Sequence, residues 1–211
     1  MSAQNGEEIM ARLQDDREAV VERFTPTSGR VSGWAALALS VTVVVAAVAY
    51  RDEGFPMWVG AAALLVGVLA WAAMLRPALW VTEEHLVMRN LGETVHIRLA
   101  AVEEMAVRQV LAVRAADRRL VSTVLGRTWR KTVTSRRDPS AADGPREGMG
   151  YVDWAEHRIR ELVDAARERA GVTAGSREQL ALPDAVRREP AAVPLALIGV
   201  ALVLLVVSLF L

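Results

Sequence analysis

The chain contains no cysteine, which excludes disulfides, thiolate metal centres and cysteine nucleophiles. Lysine is nearly absent: Lys131 stands alone, so the basic side chains are almost all arginine, as a GC-rich genome produces. The three histidines, at 85, 96 and 157, lack metal-ligand spacing. Net charge is missing too, with 25 basic against 25 acidic residues, and nothing global draws the chain to nucleic acid. There is no glycine-rich phosphate loop and no GxSxG elbow. The carboxylate neighbours Glu83-Glu84 and Glu103-Glu104 read as solvated turn residues, because adjacent side chains diverge. A cleavable signal is not expected, since the first thirty residues are polar and acidic-leaning.

Charge is absent altogether from two stretches. Ser32–Tyr50 and Met57–Leu75 are nineteen residues each, split only by residues 51–56. At about 1.5 Å of rise per residue, each reaches roughly 28 Å as a helix, close to the roughly 30 Å core of a bilayer. So short a connection forces an antiparallel transmembrane hairpin over 32–75. A third apolar run, Ala191–Leu211, is twenty-one residues long. Neither of the first two spans carries an ionisable side chain, which argues against a proton relay or ion path. Ala36-xxx-Ser40 and Ala63-xxx-Gly67 offer small residues for close helix approach. Arginine placement gives the expected orientation. Arg12, Arg17, Arg23 and Arg30 precede the first span, Arg76 follows the second, and Arg187 and Arg188 precede the third, while the 51–56 loop holds Arg51 alone. The N-terminal segment 1–31 and the centre of the chain are therefore expected inside, with the C-terminus at the outer face. Trp34, Trp71 and Trp80 would mark the inner interface, and Tyr50, Phe55 and Trp58 the outer one.

Between the spans the periodicity changes twice. Ile9–Phe24 carries a weak apolar face and reads as a helix, either a surface helix or one that binds a partner or an interface. After Pro77 the alternation predicts strands over 78–82, 85–90, 94–99, 105–113, 120–125 and 128–134, with turns at Glu83-Glu84, Leu91–Glu93 and Ala115–Arg119. A Ser-, Asp-, Pro- and Gly-rich loop covers 135–150. Val152, Ala155, Ile159, Leu162, Val163, Ala166 and Ala170 then form one stripe of an amphipathic helix that Gly171 stops. Residues 76–172 thus predict an antiparallel sheet capped by a helix, and 173–190, with Pro183 and Pro190, a polar linker.

The exit from the hairpin into Arg76-Pro77, followed by Leu79-Trp80-Val81-Thr82-Glu83-Glu84-His85-Leu86-Val87-Met88-Arg89-Asn90, resembles the PH-like domains of membrane proteins from high-GC Gram-positive bacteria. The likeness covers about 60 residues, or about 95 with Tyr151–Ala170 as the closing helix. It implies a bent antiparallel sandwich with a C-terminal helix, and no catalytic residues. His85 departs from the glycine frequent at that turn, which implies a looser turn or an unusual histidine backbone.

One basic run stands out: Arg127, Trp129, Arg130, Lys131, Arg136 and Arg137, with Arg118 and Arg119 as neighbours if they share the rim. It reads either as a solvated strand face and loop or as a contact for a partner or for lipid headgroups. The expectation is therefore an α+β integral membrane protein of a bacterial plasma membrane. It comprises a helical hairpin, a cytoplasmic PH-like β-sandwich with its amphipathic helix, and a C-terminal membrane helix. The expected role is a non-enzymatic interaction module, an accessory or assembly subunit whose partners are other integral membrane proteins or a second copy of itself. Sensing of anionic lipid through Arg127–Arg137 is the alternative. No cofactor, metal, nucleic acid or small-molecule substrate is called for.

Overall fold

Glycine and other small side chains set how the apolar helices meet. The computed structural model describes residues 19–26, 29–126 and 150–210. Helix α1 (Arg30–Ala49) is followed by α2 (Met57–Ala70), which a π turn over Trp71–Leu75 extends. Both are long and apolar enough to cross a membrane. The first starts two residues earlier than its charge-free run, taking in Arg30. They pack antiparallel on a seven-residue rhythm: Gly33, Ser40 and Ala47 are buried on α1, and Gly60 and Gly67 on α2. Gly67 abuts Ser40, and a Cβ at Gly60 would come within 2.6 Å of Ala47. The Ser40 hydroxyl donates to the Ala63 carbonyl at 2.5 Å. The small-residue spacings at Ser40 and at Ala63–Gly67 thus lie in the contact, which a seven-residue repeat keeps in register.

Among the described residues, eight strands form two antiparallel sheets. The larger runs in the order β1-β2-β3-β4-β8, from β1 (Val20–Phe24), β2 (Ala78–Thr82), β3 (His85–Arg89), β4 (Glu93–Arg98) and β8 (Val186–Pro190). The smaller holds β5 (Val102–Val107), β6 (Leu111–Ala115) and β7 (Arg118–Ser122) in chain order. Leu79, Val81, Leu86, Met88, Val95 and Ile97 from the first meet Val107, Leu111, Val113 and Leu120 from the second in one core. Helix α3 (Tyr151–Ala170) packs on that core through Ala155, Ile159, Val163 and Ala166. Its end is a glycine cap: Gly171 has φ 66°, its N–H donates to the Glu168 carbonyl, and the Val172 N–H donates to that of Arg167.

Several expectations change. Residues 20–24, read as helix, are a strand: Phe24 buries in the core and pairs with Leu79, a tertiary contact that overrides weak helical periodicity. Residues 9–18 lie outside the described residues. The alternation over 105–113 is not one strand but β5, a turn at Arg108–Val110, and β6. The pattern runs through unbroken because Val107 pairs with Leu111 and Met105 with Val113, and directly opposed residues share a face. Ala116 and Asp117, with φ 49° and 57°, make the two-residue β6–β7 turn without glycine. His85 is ordinary strand. Thr82 Oγ1 accepts from the His85 N–H at 3.0 Å and donates to the His85 carbonyl at 3.1 Å, closing the turn that glycine would otherwise serve. Glu103-Glu104 lies in β5 rather than on a turn, with Glu103 held by Arg114 at 3.3 Å.

The 173–190 segment is no linker. It supplies α4 (Arg177–Leu180), capped by the Ser176 hydroxyl, and β8, which pairs with β4 from Glu93↔Pro190 to Ile97↔Val186. Gln179 is 1% exposed; its Nε2 donates to the Ala100 and Val102 carbonyls, both at 2.9 Å, and its Oε1 accepts from the Gly175 N–H. The last apolar run becomes α5 (Ala192–Ser208), seventeen residues packed along α2. It is shorter than the twenty-one expected.

Candidate functional site

Three apolar helices meet the same end of the larger sheet. β1 leads toward α1, α2 enters β2 through Arg76-Pro77, and β8 enters α5 through Ala191, whose N–H donates to the Gly92 carbonyl of the β3–β4 turn. The π turn adds one residue to the helical circuit, seen in the Arg76 N–H donating to the Trp71 carbonyl. From there the Arg76 guanidinium donates to the carbonyls of Asn90, at 2.5 Å, and Leu91.

On the sheet face opposite the core, register brings one residue from each strand into a row: Arg23, Trp80, Val87, His96 and Arg187. Val87 is buried there although it faces away from the core. The next row toward the helices holds Ala78, Arg89, Thr94 and Glu189. Trp80 is flanked by two guanidiniums, Arg89 at 5.0 Å and Arg23 at 5.8 Å from its ring centroid, within cation–π range. His96 meets the edge of His85, and Glu189 holds Arg187 at 2.5 Å. His96 keeps only 13% of its side chain exposed, because neighbouring strands flank it. The Arg76 pKa is pushed down, first by burial and then by the charge of Arg89. Arg76, Arg89, Trp80 and Arg23 therefore form one cationic, aromatic surface at the helix-bearing end.

Several arginines elsewhere are matched to carboxylates. Arg158 bonds Glu22 at 2.8 Å, and that hydrogen bond, then the one to Glu161, raises its pKa. Arg160 holds Glu156 at 2.6 Å, an i, i+4 pair on α3. A cleft of about 650 Å³ lies over the smaller sheet, lined by Arg108, Arg114, Arg119, Glu104 and Asp117. Among the described residues no three His, Asp or Glu side chains converge as a metal cluster would.

Arg127, Trp129, Arg130, Lys131, Arg136 and Arg137 lie outside the described residues. Arg118 and Arg119 are exposed on β7. The Arg23–Trp80–Arg89 grouping is not visible in the sequence, because it depends on β1 pairing with β2 across more than fifty residues. The usable signal was Trp80 facing outward on a strand whose partner ends in Arg89. No known protein family, characterised protein or solved structure matches the chain.

Proposed function

We propose that the chain is a membrane-tethered, PH-like interaction module that serves as a non-catalytic accessory or assembly subunit of a membrane protein complex. The observation that carries the proposal is the junction of three apolar helices with one end of one sheet. Large apolar side chains stand exposed along those helices: Leu39, Val45 and Val48 on α1, and Val200, Val203 and Val207 on α5. In water such a surface is an aggregation liability, whereas in lipid it is the ordinary condition. Helix α5 covers about 25 Å, and Leu209 and Phe210 prolong its apolar run toward the thickness of a bilayer. Two antiparallel sheets around one core, closed by α3, support the PH-like assignment, with β1 and β8 added at the margins of the larger sheet.

In this arrangement the arginine-rich sheet end lies at the cytoplasmic leaflet and the 51–56 loop lies outside. Among the described residues nothing pairs with the outer edges of β1 and β8, and such edges accept a strand from a partner. Affinity purification of the tagged chain from its own membranes in mild detergent tests the proposal. Stoichiometric recovery of a second membrane protein, or of a dimer, is expected. Recovery of a monomer alone at native expression would sink it.

A further inference from the structure

We infer that Arg23, Trp80 and Arg89, with Arg76, form a binding site for the phosphate of an anionic phospholipid headgroup. The inference rests on the membrane tether proposed above and adds a ligand to it.

Position comes first. Arg76 directly follows α2, and Arg89 pairs with Ala78, the first residue of β2. Two residues of strand span about 7 Å, so Arg89 stands within the headgroup layer, which adds roughly 5–7 Å to each side of the hydrocarbon core. Trp80 and its partner Arg23 stand one pleat further along the same face, about 7 Å beyond Arg89, at the aqueous margin of that layer, from which long arginine side chains reach back toward the phosphates.

Charge comes second. Among the described residues neither Arg23 nor Arg89 has a carboxylate partner, while Arg114, Arg158, Arg160, Arg187 and Arg188 each have one. Arg23 and Arg89 share one ring, and Arg89 is close enough to Arg76 to oppose its charge. Three guanidiniums held together without an acid cost free energy unless an anion joins them. The aromatic ring completes the case. Arg23 and Arg89 lie within cation–π range of Trp80, which draws both guanidiniums to one ring, and their N–H groups suit the bidentate geometry a phosphate takes.

Native mass spectrometry of the full chain in mild detergent tests the site, with phosphatidylglycerol, phosphatidylcholine or inorganic phosphate added separately. The wild type should retain phosphatidylglycerol in preference to phosphatidylcholine. R23Q/R89Q should lose about fivefold in affinity for each arginine removed. R169Q/R177Q removes equal charge at the end of α3 and in α4 and should bind as the wild type does. Equal retention of the two lipids, or an unchanged R23Q/R89Q, overturns the inference. Displacement of lipid by millimolar inorganic phosphate also overturns it, reassigning the site to a soluble anion. If R23Q/R89Q does not fold, Arg89→Lys keeps the charge but not the planar fork, and it must still lower retention at least twofold. Alkaline carbonate extraction of wild-type membranes separates the two levels. Release would defeat the tether itself, whereas retention without lipid preference defeats the site alone.

Discussion

Replacing Gln179 with alanine should unfasten the segment that joins α3 to β8. The side chain is 1% exposed and makes three hydrogen bonds to backbone, two of them across to Ala100 and Val102. The Val102 carbonyl keeps a second donor in Arg167, so its loss is about 1 kcal/mol. The carbonyl of Ala100, itself 3% exposed, would be stranded at about 1–3 kcal/mol. Gly175 is exposed and its amide returns to water at little cost. The sum is about 3 kcal/mol, which for a chain of this size lowers Tm by roughly 6–12 °C. Thermal unfolding in mild detergent, followed by tryptophan fluorescence, measures it. Hydrogen exchange should also accelerate across Val186–Pro190, since α4 holds β8 in place. Gln179→Glu puts an acceptor against two carbonyls and should cost at least as much. A Tm within about 1 °C of wild type for both variants would mean that 173–190 is the loose tether its composition suggests, and the reasoning would fail.

The helix pair gives a second prediction: Gly67→Val drives a side chain into Ser40 and should cost about 1–3 kcal/mol, while Gly199→Val, which meets nothing within 4 Å, should be near neutral by the same unfolding assay. Arg158→Ala should loosen β1 by releasing Glu22; with the arginine 40% exposed, the loss is about 0.5–1 kcal/mol, read as faster amide exchange over Val20–Phe24. The chain has no cysteine background, so Asp52→Cys should react with an impermeant maleimide on intact cells and Glu83→Cys only after permeabilisation; the reverse pattern would refute the proposed orientation.

Local signals were readable and distant pairings were not. The charge-free runs, the α3 stripe with its Gly171 stop, and the hairpin at Glu83-Glu84 all arise from neighbours within a few positions, whereas the turn read over Ala115–Arg119 narrows to Ala116-Asp117 and β7 begins two residues before the 120–125 strand expected. β1 and β8 were missed because their partners are remote: Phe24 pairs with Leu79, and Arg188 with Val95. Val186–Pro190 has three charged residues in five, and only pairing to β4 makes it a strand. The same gap hid the candidate site. Trp80 and Arg89 were visible in sequence, but their grouping with Arg23 exists only once β1 is laid beside β2 in register.

Each outermost strand of the larger sheet runs into or toward an apolar rod, α5 from β8 and α1 from β1. A freely diffusing chain approaching either margin would collide with that rod at one end. A neighbour standing upright in the same lipid leaflet would meet no such obstruction and would align along the whole edge. Under the proposed tether, strand-to-strand joining would extend as a single file across the bilayer plane.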